Sequence, residues 1–533
     1  MPSFNNVSVI DKRALFDLLS KRFNSQEKKL SQIPNPSLLH DADKAAKKIA
    51  LCIKEKKKIT LIGDYDVDGV SSTAIMVEFF KQIPYPIEAI IPNRFNDGYG
   101  VSPNILKRVQ SDLIITVDNG IAAIEAAQIC EERGIELIIT DHHTPSEVLP
   151  KAFAIVNPKL SYCSYPFEDI CGAQVAWLLL GLVKKELSLD IDMKQFLDIL
   201  SIAIIADIMP LKDINRTIVK KGLNVLATSS RPSSVIIRDF LNKLSITSED
   251  IGFQIAPRIN SAGRLKDASI ALEFLTASST TEAYTRFEKL NDLNELRRER
   301  ESATTEEAIE LADEDDDFIV VAKEGWHEGV VGIVASRLVD YFARPAVVLS
   351  IKEGMAKGSA RSIGSIDIYK LIKENNELLT KFGGHKMAAG LGLKEQNIDA
   401  LKKSLNKSIS KVDSKDFLSL DEIIGVLPSN EIDFELLNLL DKFEPYGEGN
   451  HRPLFLIKNA LITDIKYFGK NRSNSKISIK QFEDEKEIEL ILFKRVFQMP
   501  QDRKLSCSYR VVKNEFNSRV LLQLIINKIY HEI

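Results

Sequence analysis

The chain of 533 residues is poor in cysteine, and its five cysteines, Cys52, Cys130, Cys163, Cys171 and Cys507, form no C-x-x-C pair. That spacing argues against a zinc ribbon or a dithiol redox motif and fits reduced, buried thiols. No apolar run approaches the ~18 to 20 residues of a membrane span. The opening stretch "MPSFNNVSVIDKR" carries neither the charged nor the apolar region of a secretory signal. A cytoplasmic location without membrane contact is therefore expected. A strong excess of one charge is also missing: the net charge of −4 argues weakly against a polyanionic partner for the chain as a whole. The charge is nevertheless uneven. From residue 451 onward Lys and Arg outnumber Asp and Glu, so a basic module ends an acidic body. Such asymmetry suits a nucleic-acid surface confined to one domain.

The length exceeds what one core can serve and predicts roughly three or four domains. Residues 1–40 stand apart as an N-terminal segment. From residue 41, helix-period and strand-like runs alternate: "DADKAAKKIALCIKE", "KITLIGD", "STAIMVEFFKQ", "IEAIIP", "DLIITVD", "IAAIEAAQICEERG" and "IELIIT". This alternation predicts an α/β domain with a mostly parallel sheet, extending over residues 41–280. In such sheets ligands bind beyond the carboxyl ends of the strands.

The polar clusters fall at those ends. "LIGDYDVDGV" (61–70) sets Asp64, Asp66 and Asp68 at every second position after an apolar run, which in an extended segment directs all three to one side. "DLIITVDNG" closes on Asp118, and "IELIITDHHTP" closes on Asp141, His142 and His143. The apolar run "FLDILSIAIIADIMPL" carries Asp207 within it, an acid that needs a partner or a ligand to offset its desolvation. Carboxylates with one or two imidazoles suit Mn²⁺ or Mg²⁺. Several such carboxylates could share two divalent ions about 3.5 to 4 Å apart, which would polarise a phosphoryl group and activate water.

Four further segments carry chemistry. "APRINSAGR" (256–264) reads as a loop that offers Arg258, Asn260 and Arg264 to phosphate oxygens. Residues 281–316 are charged and free of Pro and Gly, which predicts a long connecting helix whose Arg297, Arg298 and Arg300 form a solvated face. Residues 317–412 read as a second, smaller α/β unit in which "KGSARS" and "GGHKMAAG" present Ser359, Arg361 and His385. Trp326 reads equally as core. Residues 417–533 hold five strand-like runs with basic connectors, an OB-type barrel pattern whose groove would bind single strands. Lys466, Tyr467, Phe468, Lys470, Arg472 and Lys476 are its candidate contacts.

In this order "DYDVDG", "VDNG", "DHH" and "ADIMP" resemble the motifs of the DHH phosphoesterase superfamily. With "PNRFNDGYG", "APRINSAGR", "FGGHKMAAG" and "FEPYGEGN", the chain resembles the RecJ exonuclease family of that superfamily over nearly its whole length. The resemblance implies a DHH-type parallel-sheet catalytic domain, a long helix, a DHHA1-type α/β domain and a C-terminal OB-fold β-barrel. It implies a metal-dependent exonuclease that degrades single-stranded DNA from 5′ to 3′ into 5′-mononucleotides, in repair and recombination. Asp66, Asp68, Asp118, His142 and Asp207 stand where the family's ligands for two Mn²⁺ or Mg²⁺ ions stand, with Asp118 as the bridge. Asp64 is implied as a further ligand, His143 as a catalytic neighbour, and Asp141 as the acceptor that orients the imidazoles. Arg258, Asn260 and Arg264 match the phosphate-contacting motif, and Ser359, Arg361 and His385 the companion domain that holds substrate. The implied partners are single-stranded DNA, a single-strand-binding protein and a helicase, with the enzyme a monomer. Two other readings stay open: a small-substrate phosphodiesterase on the same site, and a non-catalytic single-strand-DNA-binding scaffold. A pyrophosphatase of the same lineage is disfavoured, because Ile62 stands where that group carries a histidine.

Overall fold

A computed structural model describes residues 7–22, 28–417, 422–469, 471–481, 486–516 and 519–530. They cluster into two compact units, one from Ser3–Leu290 with Glu422–Ile533, the other from Asn291–Asp421.

The first unit is organised by a five-stranded parallel sheet, β1 (Ile59–Ile62), β2 (Glu88–Ile90), β3 (Leu113–Val117), β4 (Glu136–Thr140) and β5 (Ala154–Val156). Its spatial order is β2-β1-β3-β4-β5. The central strands are apolar and buried along their whole length, as strands covered on both faces must be. Helices Val67–Phe80 and Gly172–Glu186 pack against β3, and helix Ile124–Glu132 against β4. In this order β1 sends its connection one way and β3 the other, so the crevice for a ligand opens where these two strands end. Asp64 follows β1 and Asp118 follows β3.

"APRINSAGR" departs from the loop that its Pro and Gly suggest. It forms helix Ala256–Leu265, which continues a π-helical turn, Ile251–Ile255. Pro257 lies in the first turn, where no intrahelical N–H is needed. Gly263 lets the helix press on the first acidic motif, since a Cβ there would fall 2.3 Å from the Tyr65 carbonyl oxygen.

The same unit contains the barrel: β11 (Ile423–Gly425), β12 (Leu454–Phe468), β13 (Asn474–Lys480), β14 (Ile488–Leu492), β15 (Lys504–Phe516) and β16 (Arg519–Tyr530). The order is β11-β12-β13-β14-β16-β15, and β15 pairs back onto β12, so the pairings run round in a ring. Helix Lys12–Lys21 joins this core: Leu15 and Leu19 are fully buried with Leu436, Leu440 and Phe455. The stretch set apart as 1–40 therefore serves, in its helical part, as a lid on barrel core some 400 residues away in sequence.

In the second unit, β6 (Ile319–Glu324), β7 (Ala346–Lys352), β8 (Met355–Arg361), β9 (Leu379–His385) and β10 (Ala388–Lys394) form a sheet of order β6-β7-β8-β10-β9. Only the β6–β7 pair is parallel. Helix Val331–Phe342 packs on β7 and β8, and Trp326 is core, its indole N–H donating to Glu307. The unit is entered along helix Thr280–Leu311. Arg297 on that helix is not part of a solvated face: its side chain is 13% exposed and bonds Glu301 and Asn294. A charged residue in a polar helix looks solvated in sequence because its partners, here three and four residues away, can equally close over it.

Candidate metal centre

The three acids of "DYDVDG" do not share one face of an extended segment. The chain turns into helix Val67–Phe80 directly after the strand, so Asp64 ends the strand connection, Asp66 caps the helix and Asp68 lies in its first turn. Asp66 accepts from the Gly69 N–H at 3.0 Å, an ordinary N-cap bond. Asp68 reaches across to the start of helix Gly172–Glu186, where the N–H groups of Gly172 and Ala173 donate to its two oxygens at 2.6 and 2.9 Å. A helix N-terminus is a favourable place for a carboxylate. Gly172 is required on a second count: a Cβ there would lie 2.5 Å from Cβ of Asp118.

Asp118 sits at φ +63°, a left-handed conformation that Asp tolerates better than most residues. Asn119 fixes this turn. Its amide donates to the carbonyls of Ile62 and Val117 and its oxygen accepts from Val101 N–H, so β1, β3 and the "DGYG" loop are tied at one point.

These elements converge on one imidazole nitrogen. His142 Nε2 lies 3.2 Å from Asp118 Oδ1, 3.5 Å from Asp207 Oδ2 and 3.6 Å from Asp68 Oδ2. Donors bonded to one Mg²⁺-sized ion at about 2.1 Å lie about 3.0 to 3.4 Å from each other in octahedral or tetrahedral geometry, so the spacing fits a shared cation. The lone pairs point the same way: Asp64 Oδ1, Asp118 Oδ1 and Asp207 Oδ2 are buried without a hydrogen-bond partner among the described residues. Three overlapping trios could each hold an ion: Asp68, His142 and Asp207; Asp118, His142 and His143; and Asp64, Asp66 and Asp118. Asp118 and His142 each belong to two of them.

The electrostatics fit a missing counter-charge. Burial, followed by the neighbouring carboxylates, pushes Asp64, Asp66 and Asp118 above the usual carboxylate range, and Asp207 up to about 9. Burial pushes His142 down to about 4, which leaves its nitrogen free to ligate. A dication in this space would restore the charged carboxylates.

His143 and Asp141 form a separate pair. His143 Nδ1 lies 2.7 Å from Asp141 Oδ1, and the same carboxylate accepts from the backbone N–H of His142, His143 and Ile121. Burial works against both charged forms, yet the bond between them holds Asp141 below its usual range and His143 above its own. Asp141 thus orients His143; the expectation that it also accepts from the His142 ring is not met, since His142 Nδ1 has no partner among the described residues.

The other candidates divide. Arg264 is close enough to Asp66 to stabilise its charge. Asn260 is half-buried on the same helix. Arg258 instead engages the scaffold, its guanidinium 4.2 Å over Phe240 and bonded to the Gln254 carbonyl. In the second unit, Arg361 donates to Ser359 Oγ at 2.5 Å, and burial lowers its pKa; His385 is exposed at the end of β9. On the barrel, Lys466 pairs with Asp464 at 3.1 Å and Lys476 with Glu489 at 2.6 Å. Tyr467 and Phe468 are exposed, Phe468 edge-on to Phe493 at 6.2 Å, and Arg472 lies in the turn that follows. Lys470 lies outside the described residues.

Sequence reasoning passed over Tyr99, whose hydroxyl lies 3.5 Å from His143 Nε2 and 3.4 Å from the Asp118 carbonyl oxygen. Its place in "NDGYG", beside two glycines, was the available signal. Arg94 of the same stretch lies over the Tyr65 ring at 5.4 Å.

Three segments match known families: residues 58–204 the DHH family, N-terminal domain, residues 315–411 the DHHA1 domain, and residues 424–528 the RecJ OB domain. The chain is 38% identical over 461 residues to the single-stranded-DNA-specific exonuclease RecJ of Bacillus subtilis, covering 84% of this chain and 58% of that relative. It is 31% identical over 541 residues to the RecJ of Haemophilus influenzae, covering 94% of this chain and 93% of the relative. The crystal structure of RecJ from Thermus thermophilus in complex with Mn²⁺ superposes with a TM-score of 0.82 at 27% identity, covering 99% of this chain and 79% of the other. The same protein in complex with Mg²⁺ gives 0.79 at 26% identity, covering 98% and 75%.

Proposed function

The chain belongs to the RecJ family, and from that premise we propose that it is a metal-dependent exonuclease that degrades single-stranded DNA in the 5′ to 3′ direction to 5′-mononucleotides. The observation that carries the proposal is the convergence of Asp68, Asp118 and Asp207 on His142 Nε2 with lone pairs left unsatisfied in a buried cleft. The fit to Mn²⁺ or Mg²⁺ follows from the donor set, which is oxygen and imidazole with no thiolate. Asp64, Asp66, Asp68, Asp118, His142 and Asp207 would hold two ions, Asp118 contributing to both. When bound, such ions polarise the scissile phosphate and lower the pKa of water.

The remaining steps fall to the chain's own residues. His143, held at Nδ1 by Asp141, presents Nε2 beside Tyr99 and can keep a proton there for the departing oxygen. Arg264 offsets charge on the phosphate oxygens. Ser359, Arg361 and His385 of the second unit would contact substrate. The exposed Tyr467 and Phe468 would stack bases on the barrel. The barrel also favours a polymer substrate over the small-substrate reading. Action in the cytoplasm as a monomer, beside a single-strand-binding protein and a helicase, belongs to the same proposal; among the described residues no helix is long and apolar enough to cross a membrane.

End-labelled single-stranded DNA, with duplex and RNA counterparts, tests this in Mn²⁺, Mg²⁺ or chelator. Mononucleotides should leave the 5′ end of single strands only, in metal only, and Asp118→Ala should abolish the reaction. Binding without cleavage in every metal would leave the scaffold reading instead.

A further inference from the structure

The site so far leaves "FEPYGEGN" (443–450) without a role. In the structure this loop of the barrel domain docks on the turn that follows Asp207. Asp207 caps helix Leu197–Ala206, and the next residue, Ile208, sits at φ +55°. A β-branched residue rarely adopts that conformation, and it persists only where the surroundings over-determine it. Ile208 does not supply the hold, because its side chain is 67% exposed.

The helix's own ending supplies part of the hold, Ile208 N–H donating to the Ile205 carbonyl at 3.2 Å and Met209 N–H to the Ile204 carbonyl at 3.1 Å, and the barrel domain fixes the chain that follows. Leu211 N–H donates to the Glu448 carbonyl at 2.7 Å. Arg216, buried, donates to the carbonyls of Phe443, Glu444 and Pro445 at 3.0, 2.7 and 3.2 Å. The two glycines of the loop are explained by the approach. A Cβ on Gly447 would fall 2.7 Å from Leu211 Cδ1, and one on Gly449, itself at φ +69°, would fall 3.0 Å from Lys212 Cε and 3.4 Å from Pro210 Cβ. The contact also continues inward. Asn215 donates to the Pro210 carbonyl at 3.1 Å and accepts from Gln174 at 2.8 Å. Gln174 in turn accepts from Cys171 N–H, next to the Gly172 and Ala173 N–H groups that hold Asp68.

We propose that the 443–450 loop is a positioning element of the metal centre: it fixes the turn carrying Asp207 and, through Asn215 and Gln174, braces the N–H groups that hold Asp68. The inference rests on the proposed reading of Asp68 and Asp207 as ligands. The barrel is then more than a strand-binding module, because the affinity of the catalytic cleft for metal depends on its docking.

Mn²⁺ binding to the full chain, followed by electron paramagnetic resonance without substrate, tests this beside thermal unfolding. Gly447→Val wedges the loop from Leu211, and Arg216→Gln removes the carbonyl fork. Each should weaken Mn²⁺ binding about tenfold, the scale on which groups that orient metal ligands act. Ile479→Ala is the control: it loosens the barrel core from β13, a strand that pairs with β12 and β14, and should lower the melting temperature while Mn²⁺ affinity stays within about twofold. If Gly447→Val and Arg216→Gln bind Mn²⁺ like the parent, or if Ile479→Ala loses as much affinity for the same loss of stability, the positioning role is overturned. Asp207→Asn separates the two ideas. Parent-like Mn²⁺ binding by Asp207→Asn would refute the ligand reading itself, whatever the loop variants do.

Discussion

The cleft at the end of β1 and β3 and the patch on the barrel both drew attention through charge, but the structure treats them in opposite ways. In the cleft, buried carboxylates stand together and, among the described residues, lone pairs on three of them are left unfilled. On the barrel, two of the described cations are already answered by acids on the same surface. Buried charge without an internal partner is costly and therefore implies an absent one, whereas exposed charge finds a neighbour or water at little cost. The cleft is thus read from its electrostatics, the barrel from its exposed rings.

The sharpest way to break that contrast is to remove an acid. Asp118→Asn should lower cleavage by about a thousandfold or more, since the residue serves two of the three trios. In chelator the same substitution should stabilise the fold, by on the order of 1 kcal/mol, by relieving like charges. In saturating Mn²⁺ it should be the less stable of the two proteins. A variant that is less stable in both conditions would show that Asp118 is a structural acid.

A second effect follows from pH. Asp207, raised to about 9, binds a proton in the folded state that the unfolded chain releases near its ordinary range. Its contribution to stability is therefore complete below the unfolded pKa and is lost as pH rises through the folded one. His142, lowered to about 4, acts in the other sense, its contribution being lost as pH falls below its unfolded value of about 6.5. Above about pH 7 His142 no longer contributes to the slope, while the carboxylate cluster and His143, held above its own range by Asp141, both lose stability as pH rises, so the melting temperature in chelator should fall with pH and Mn²⁺ should flatten the part of the slope that belongs to the carboxylates. A flat profile in chelator would mean that the cluster is compensated from within.

What the sequence discloses follows the same division. The cleft was legible because the parallel sheet and its buried helices make long apolar runs, and acids at the ends of such runs stand out: Asp64, Asp118 and Asp141 each follow a strand, and Asp207 follows the apolar helix Leu197–Ala206. The barrel strands were legible from alternation, and β12 to β16 answer to the five strand-like runs. The local geometry was not. Pro257 and Gly263 suggest a loop, although both are compatible with a helix whose first turn lacks N–H partners and whose side must approach Tyr65. Groups that act by long-range bonds, such as Gly172, Gln174 and Arg216, carry no local pattern, and Asn119, although it stands inside "VDNG", shows nothing in sequence of its bonds to Ile62 and Val101. The helix Lys12–Lys21 shows an apolar face, but nothing nearby in sequence says that the barrel covers it.

On the barrel the expected effects are smaller and belong to the rings first. Tyr467→Ala with Phe468→Ala should weaken single-strand binding by roughly 1 to 3 kcal/mol per stacked base lost, read as a higher dissociation constant in chelator, where no cleavage intervenes. Lys466→Ala should change it by no more than about twofold, because Asp464 already holds that ammonium. The reverse ranking would make the patch an electrostatic surface after all.

The smallest effect is the most discriminating, because it runs against the usual sense of an alteration. Lys476 on β13 is 2.6 Å from Glu489 on β14, and both side chains are substantially exposed. As long as the pair persists, a phosphate that approaches Lys476 must compete with a carboxylate that also repels it. Glu489→Gln removes the competitor and leaves the lysine in place. Single-strand affinity should then rise about twofold at low salt, and the slope of log affinity against log salt should steepen by about 0.7, the value for one additional phosphate neutralised on a single strand. A double substitution that also replaces Lys476 with Gln should cancel both changes. If Glu489→Gln leaves the slope untouched, Lys476 does not meet the backbone, and the strand crosses the barrel on its rings alone.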